Sequence, residues 1–428
     1  MVRFLRITGA AVILLASAMT PMAWADDAAR PVTFTKDVLP ILQENCQTCH
    51  RPATIGVSGM VAPMALTTYE EVRPWAKSIV KAIESGKMPP WSASREFRGV
   101  FKNERYLTDE EIDTIARWVN SGAPMGRAED APPPRLFPQR EWWLGEPDVI
   151  VRLPEPVWVG DEVEDWQPMY QIPLTEDVLP EDRWLRGMEC VPDSNVVHHI
   201  VVYAYGQGMD RDRGNVGVGG NLGGLAPGAE PEVADEGYGY LLKKGTTLAV
   251  SMHYHKETGP GTGAWDQSRI GLFFYPKDAK ARNVQISPVG NMTFEIPPGV
   301  DRWEVGMART FERPVTVLGL LPHMHFRGAA ARYVAIYPDG RRETLLDVPN
   351  YDYAWQHNYR FQEARRLPVG TRLEVRMWFD NSPANPANPD PTKAVRFGGP
   401  TTDEMALGWM YFTFDDEAPT VAAIAGQR

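Results

Sequence analysis

Six of the eight histidines in this 428-residue chain fall into three short clusters. The clusters are His198-His199, His253-Tyr254-His255 and His323-Met324-His325. Each cluster lies in an apolar run that is typical of a β-strand. Burying six unpaired imidazoles would cost stability, whereas imidazole nitrogens are good ligands for zinc, copper, iron or nickel. The clusters therefore predict metal binding rather than core packing.

The spacing within each cluster indicates how the side chains can meet. His323 and His325 are two residues apart, so both side chains leave the same face of a strand. His198 and His199 are adjacent and would point to opposite faces of a regular strand. We expect a β-bulge, or ligation through different ring nitrogens, to bring this pair to one ion. His255 is expected to lie behind the ligands or at the surface.

A separate motif, "ENCQTCH", contains Cys46, Cys49 and His50. It matches the C-x-x-C-H pattern of covalent c-type haem attachment. The alternatives are a thioredoxin-like or zinc-binding CxxC, but the βαβ context or further ligands that these require are absent from the surrounding sequence. Cys190 is the third and last cysteine, which excludes a disulfide framework. We expect Cys190 to be buried and inert.

A haem used for electron transfer would take a methionine as its sixth ligand. The candidates are Met60, Met64 and Met88. Met88 lies in "SGKMPPW", a loop stiffened by two prolines after a predicted helix end. This loop best resembles the axial methionine loop of small cytochromes, so Met88 is the predicted ligand.

Three helices are predicted around the haem motif, from "TFTKDVLPILQENC", "TYEEVRPWAKSIVKAIESG" and "LTDEEIDTIARWVNSG". The third begins with a capping box, Thr108 to Glu111. The predicted apolar stripes contain Val72, Trp75, Ala76, Ile79 and Ile83 in the second helix, and Ile112, Ile115, Ala116 and Val119 in the third. Helices of this kind around a CxxCH resemble a small class I cytochrome c.

The N-terminus predicts export from the cytoplasm. Arg3 and Arg6 precede the apolar run "AAVILLASAM", and Ala23-Trp24-Ala25 matches a cleavage site, so residues 1–25 form a predicted signal peptide. No later run has the roughly 18 apolar residues of a membrane span. The net charge of −11 excludes nucleic acid as a favoured partner. We expect a periplasmic or secreted protein.

The rest of the chain reads as short strands and turns, which favours two tandem all-β sandwiches of jelly-roll type. The predicted domains are the cytochrome c domain at 26–126, a proline-rich linker at 127–140, sandwiches at 141–282 and 283–416, and a tail at 417–428. Residues 215–237 are rich in glycine but lack the G-K-[ST] of a nucleotide loop, so we expect a surface or cleft-edge loop.

The metal that best fits the clusters is copper. A zinc hydrolase would be expected to carry H-E-x-x-H, and a multicopper oxidase an H-C-H segment; neither motif is present. A thioether beside imidazoles selects copper. The order of motifs, a His-His pair, "LAVSMHYH", "LLPHMH" and then "TTDEM", resembles the copper type II ascorbate-dependent monooxygenases. This family includes dopamine β-monooxygenase and the peptidylglycine α-hydroxylating monooxygenases. The resemblance spans about residues 141 to 416.

The resemblance implies two copper ions. The first sandwich would hold the electron-transfer copper through His198, His199 and His253. The second would hold the oxygen-binding copper through His323, His325 and Met405, with Met324 in the core behind them. Met377 is assigned to strand packing, and His357 is not expected to be a ligand.

The family hydroxylates an activated C–H bond of a small molecule with O2, taking its electrons from ascorbate. In this chain the fused haem, a periplasmic redox partner or an ascorbate-like reductant would supply them. Leu321, Leu407 and Trp409 stand where peptide-amidating members have polar residues, so the resemblance favours an apolar or aromatic substrate. The alternatives are a non-catalytic electron-transfer or copper-binding protein, and a haem domain that acts as a sensor or docking module.

Overall fold

The computed structural model describes residues 30–52, 62, 64–137, 141–205, 220–226 and 230–421. The predicted signal peptide, Met60 and part of the glycine-rich segment lie outside the described residues. β-sheets are the main regular structure of the described chain, and its few helices precede them. None of the helices in these residues is long and apolar enough to cross a membrane.

The helices all lie in the N-terminal part of the chain. They are α1 (Leu39–Asn45), α2 (Tyr69–Val72), α3 (Ala76–Glu84) and α4 (Asp109–Asn120). A π-helical turn, Phe34–Val38, leads into α1. The predicted capping box at Thr108 and Glu111 is confirmed, and a second one begins α2. Each box satisfies backbone N–H groups that the first helical turn leaves without partners.

These helices surround an apolar cluster of their own. Val72, Ile83, Ile115 and Trp118 are buried in it. The prediction that Trp75 lies on the apolar face is wrong, because its side chain is 42% exposed. Trp75 ends a 3₁₀ turn between α2 and α3, and the tighter turn shifts the helical phase and directs the ring outward.

The first sandwich follows residue 141. Its strands are β1 (Val149–Arg152), β2 (Val157–Val159), β3 (Asp165–Trp166), β4 (Met169–Pro173), β5 (Arg183–Val191), β6 (Val197–Tyr205), β7 (Asn221–Leu225), β8 (Glu232–Val233), β9 (Tyr238–Leu242), β10 (Thr247–His255), β11 (Ala264–Asp266), β12 (Arg269–Phe274) and β13 (Lys280–Asn283). One sheet has the order β1-β12-β5-β9-β13, with β8 beside β5. The facing sheet has the order β3-β10-β6-β7, with β4 also paired to β10. Cys190 lies in β5 and is buried, as predicted.

The second sandwich follows the first. Its strands are β14 (Gln285–Asn291), β15 (Glu295–Ile296), β16 (Trp303–Thr310), β17 (Val315–His323), β18 (Gly328–Ile336), β19 (Arg342–Val348), β20 (Tyr359–Leu367), β21 (Arg372–Phe379), β22 (Val395–Arg396) and β23 (Ala406–Phe414). Its two main sheets have the orders β14-β23-β17-β20 and β16-β21-β18-β19. A last strand, β24 (Thr420–Val421), returns to pair with β13 of the first sandwich.

A segment that precedes the linker is built into the second sandwich. Trp91 and Phe101 are buried in the core of this sandwich rather than in the helical cluster. Phe101 forms an antiparallel bridge with Phe361, and the Lys102 N–H donates to the Arg360 carbonyl at 2.9 Å. This short edge pairing attaches the N-terminal part of the chain to the second sandwich.

Candidate metal centre between the sandwiches

The first histidine cluster lies on the outer face of one sheet. His199 on β6 is the cross-strand partner of His253 on β10. Their neighbours Ile200 and Met252 point the other way, into the core of the first sandwich. Because side chains alternate along a strand, the two imidazoles leave the sheet on the face away from that core.

A β-bulge brings His198 to the same side. The register shifts between His253 and Tyr254, so that Tyr254 faces Val197 and His198 is the extra residue of β6. A bulge re-aims a side chain in this way without ending the strand pairing. Of the two solutions expected for the adjacent pair, a bulge or ligation through different ring nitrogens, the structure shows the bulge.

Three ring nitrogens converge at this cluster. The Nδ1 atom of His199 lies 3.2 Å from Nδ1 of His198 and 3.1 Å from Nδ1 of His253. Two nitrogens bound to one ion at about 2.0–2.1 Å, with a near-tetrahedral angle, would lie about 3.3 Å apart. The observed spacings are close to this value, so the three nitrogens fit the donor set of one metal ion.

The imidazoles of the first cluster remain neutral at neutral pH. Burial, followed by the charges of His253 and His255, lowers the pKa of His198 to about 4. Burial also lowers the pKa of His199 far below its ordinary value, and that of His253 less strongly. Because a metal binds only unprotonated imidazole, these shifts keep the cluster ready for a metal ion.

Asp165 orients His253. Its carboxylate lies 2.9 Å from Nε2 of His253, which fixes the proton on Nε2 and leaves the Nδ1 lone pair for a metal ion. The same oxygen lies 3.7 Å from Nδ1 of His255, whose side chain is 39% exposed. Asp165, His253 and His255 thus form a second, more exposed group of candidate ligands that shares His253 with the first cluster.

Replacing Asp165 by alanine should weaken metal binding at the first cluster by about 10–100-fold, the usual cost of losing a partner that orients a metal ligand. Competition with a metal chelator would measure the change. Glu164→Ala, which removes a charge one residue away, is the matched control and should bind like the original protein. Equal affinity in the two variants would contradict the orienting role.

The second cluster leaves its Nε2 atoms for a ligand. Nδ1 of His323 lies 2.7 Å from Oε1 of Gln356, and Nδ1 of His325 lies 3.2 Å from the Asp403 carbonyl. Both contacts favour a proton on Nδ1 and an unprotonated Nε2. Burial and the charge of His323 lower the pKa of His325 to about 3, and burial lowers that of His323.

The buried Glu404 connects the remaining candidate ligand, Met405, to the second cluster through backbone hydrogen bonds. Its carboxylate accepts the backbone N–H groups of His325 at 2.8 Å, Arg327 at 2.6 Å and Met405 at 3.2 Å. Burial raises the pKa of Glu404 to about 8, although these donors oppose the rise. Glu404 therefore fixes the backbone of Met405 relative to His325. Met324 is fully buried in the core, as predicted.

The two clusters face each other across the contact between the sandwiches. The charges of both His323 and His325 contribute to lowering the pKa of His199, after burial and the nearer histidines. The Tyr353 ring stacks on His198, with centroids 5.7 Å apart, and meets His325 edge-on at 6.1 Å. The structure therefore brings together histidines that are more than 100 positions apart.

Three apolar residues share the face that carries His323. On β17, Leu321 is two residues before His323; on β23, Leu407 pairs with His323 and Trp409 pairs with Leu321. Leu321 and Trp409 also pack against the core of the first sandwich. They therefore form apolar surroundings for the second cluster at the contact between the sandwiches.

His357 lies elsewhere, buried among aromatic rings. Its ring is 5.5 Å from Trp91 and stacks on Trp355 at 6.3 Å. The Pro90 carbonyl is a hydrogen-bond partner of the ring, and burial lowers the pKa of His357 to about 3. Met377, assigned to packing, is fully buried in the second sandwich.

Burial of His357 predicts loss of stability in acid. Its folded-state pKa lies below the unfolded value of 6.5, so the unfolded chain takes up the proton first as the pH falls. Stability should therefore decrease from about pH 6.5 downward, by about 2 kcal/mol at pH 5 from this residue. Urea unfolding of metal-free protein should show a shallower pH dependence in His357→Phe. Parallel curves for the two proteins would contradict the assignment.

The C-x-x-C-H motif forms one helical turn after α1. The His50 N–H donates to the Cys46 carbonyl at 2.9 Å, and Nδ1 of His50 lies 3.2 Å from the Met64 carbonyl. That contact leaves Nε2 of His50 as the free nitrogen. Cys46, Met64 and Met88 all pack against the helical cluster.

Four contributors to the metal centre were missed by sequence reasoning: Asp165, Tyr353, Gln356 and Glu404. Glu404 is part of the "TTDEM" motif, and Gln356 is next to His357 in the chain, so both could have been found from the sequence. Tyr353 acts across the contact between the sandwiches, and Asp165 reaches His253 from the neighbouring strand β3. No local pattern marks either residue.

No protein-family model matches the sequence, and no curated protein matches it. Among solved structures, the chain is similar to the Cowpea mosaic virus top component, at 7% identity over 66% of this chain and 92% of that chain, with a TM-score of 0.31. The STIV MCP covers 54% of this chain and 95% of that chain, at 8% identity and a TM-score of 0.20. The similarity to Bacillus subtilis oxalate decarboxylase covers 64% of this chain and 79% of that chain, at 10% identity and a TM-score of 0.13. These scores are too low to support any argument about function.

Proposed function

We propose that this protein is an exported copper-dependent monooxygenase that hydroxylates a C–H bond of a small substrate with O2. The proposal is carried by one observation: two unprotonated nitrogen-donor clusters face each other from separate sandwiches. The first offers three Nδ1 atoms, and the second offers two Nε2 atoms beside a methionine-bearing loop. A protein that stored a single ion would need only one of the two clusters.

The donor types favour copper over other metals. The first cluster is all imidazole, and the second combines imidazole with the Met405 thioether, a soft ligand that suits Cu(I). When bound, copper at the second cluster would activate O2 for attack on the C–H bond, and copper at the first would supply an electron. The chain's own part is to hold the imidazoles neutral and oriented through Asp165 and Gln356.

The N-terminal motif supports a covalent haem c. Burial raises the pKa of Cys46 to about 12, which is opposite to the low pKa of a thioredoxin-like cysteine. The Met64 carbonyl contacts Nδ1 of His50, on the side of the ring away from Nε2. Met88, the predicted methionine ligand, packs against the same helical cluster as Cys46 and would hold the haem from its loop.

The surroundings of the second cluster support an apolar or aromatic substrate, with Leu321, Leu407 and Trp409 on the face of His323. Electrons would come from the fused haem, itself reduced by a periplasmic partner or an ascorbate-like reductant.

Copper content per haem of the purified protein tests the proposal. We expect two copper ions per haem, one in His199→Ala or His323→Ala, and none in the double variant. His255→Ala is the matched control and should keep two. Substrate-dependent O2 uptake with reductant, screened over apolar and aromatic C–H compounds, should disappear in His323→Ala.

Haem without copper, or copper that does not respond to the substitutions at His199 and His323, would contradict the proposal. Two copper ions with O2 uptake that no substrate stimulates would instead favour a non-catalytic electron-transfer or copper-binding protein.

A further inference from the structure

A pocket of about 560 Å³ lies on the first sandwich, next to the first cluster. Trp158 and Trp166 form its aromatic part, and Glu162, Glu164 and Asp165 form its acidic part. Asp165 is also the residue that orients the first cluster, so the pocket adjoins that cluster without containing any of its histidines. The proposed copper chemistry leaves this pocket without a role.

Exposed tryptophans are concentrated at the pocket. Five tryptophans of the described chain are more than a third exposed, and three of them, Trp158, Trp166 and Trp265, lie at or beside it. Trp158 and Trp265 are cross-strand partners on β2 and β11, with ring centroids 5.3 Å apart. Trp166 stacks on the buried Tyr254 at 5.5 Å. These contacts hold the rings in place, yet the three residues remain 40–62% exposed, which marks the patch as a surface for a ligand.

The carboxylates of the pocket have no cation of their own. No cation among the described residues pairs with the exposed Glu162 or Glu164. Asp165 contacts His253, whose pKa is lowered by burial, so this partner is neutral at neutral pH. The pocket therefore carries negative charge that a bound cation would offset.

A lysine close to this segment does not neutralise it. The backbone N–H of Lys256 donates to the Glu164 carbonyl at 3.1 Å. Its Nζ donates to the Asp161 carbonyl at 3.1 Å and to the Thr262 hydroxyl at 2.9 Å. The ammonium is thus held by uncharged oxygens of the neighbouring turn rather than by the carboxylates that line the pocket.

Indole rings and carboxylates together select an organic cation. A cation within about 6 Å of a ring is attracted by the ring quadrupole, and tryptophan gives the strongest attraction. A calcium or magnesium ion would need a shell of oxygen ligands instead, and indole faces offer none. An alkylated ammonium group can place its methyl groups against the rings and its charge near the carboxylates.

We propose that the pocket formed by Trp158, Glu162, Glu164, Asp165 and Trp166 binds a small organic cation that carries an alkylated ammonium group. The ammonium group lies against the indoles, and the carboxylates supply the opposite charge. The inference goes beyond the proposed function and depends on neither copper nor haem, so either proposal can fail without the other.

The first test uses choline as the probe. NMR records the line width of the choline methyl protons with full-length protein as purified, at constant ionic strength. Dimethylbutanol, the uncharged carbon isostere of choline, is the matched ligand. We expect choline to bind and the isostere to bind at least about tenfold more weakly, because it keeps the shape but lacks the charge. Equal affinities for the two ligands, or no broadening of the choline signal at millimolar concentrations, would overturn the proposal.

The second test places the site. An exposed contact between a cation and an indole changes affinity by about two- to fivefold, so Trp158→Leu should weaken choline binding by at least about twofold. The double substitution Glu162→Gln and Glu164→Gln, which removes two charges and keeps the shapes, should weaken it by at least about fivefold. Trp303→Leu is the control, because Trp303 is an exposed tryptophan on β16 of the second sandwich.

Unchanged choline affinity in the double glutamine variant would overturn the proposal, as would an equal loss in Trp303→Leu and Trp158→Leu. If Trp158→Leu does not accumulate, the double glutamine variant decides alone, because both of its side chains are exposed.

Discussion

Replacing Met405 by leucine is expected to remove Cu(I) from the second cluster while the sandwich remains folded. Leucine has a similar volume and apolarity, so packing should change little. The thioether, however, is the only soft donor predicted beside His323 and His325. Because losing even an indirect partner of a metal ligand costs about 10–100-fold in affinity, losing a ligand should cost more than about 100-fold. Competition with a Cu(I)-specific chelator would measure this affinity.

The matched control for Met405→Leu is Met377→Leu. Met377 is fully buried and pairs with Val305 and Ala331 in the middle of a sheet. The same substitution there should leave Cu(I) affinity unchanged and affect only stability. Equal Cu(I) affinities for the two variants would remove Met405 from the ligand set and leave the second cluster with imidazoles alone.

Replacing both Cys46 and Cys49 by serine is expected to abolish covalent haem attachment completely. Each thiol would form one of the two thioether bonds, and serine cannot form them. Acid–organic extraction should release any haem from the variant, whereas the original protein should keep its haem colour with the polypeptide. Cys190→Ser, at a buried cysteine outside the motif, is the control and should keep covalent haem.

A chain that carries no haem when produced with an intact c-type haem maturation system would contradict the haem assignment. In that case the CxxC would have to serve as a dithiol or a metal ligand, and the measured thiol content would show which.

The sequence predicted the local features of the fold well, because local features depend on local patterns. The capping box at Thr108 follows from four consecutive residues, and the bulge at His198 is one of the two solutions expected for adjacent histidines that would serve one ion. The β-rich body follows from alternation and turn residues. The prediction for Trp75 was wrong because a helical stripe assumes 3.6 residues per turn. The 3₁₀ turn that ends at Trp75 interrupts that period.

Contacts between distant parts of the chain were beyond prediction. No pattern around Trp91 indicates that it belongs to the core of a sandwich that begins about 190 residues later. Tyr353 stacks on His198 and Thr401 donates to Asp165 at 3.3 Å only because the two sandwiches meet at their histidine-bearing faces. Such pairs depend on domain packing, which periodicity and spacing do not specify.

Anomalous X-ray diffraction at the copper edge, from crystals of copper-loaded protein, tests the central claim most directly. The account predicts two copper peaks: one among the Nδ1 atoms of His198, His199 and His253, and one beside the Nε2 atoms of His323 and His325 and the sulfur of Met405. A single peak, or peaks only at Asp165, His253 and His255, would contradict it.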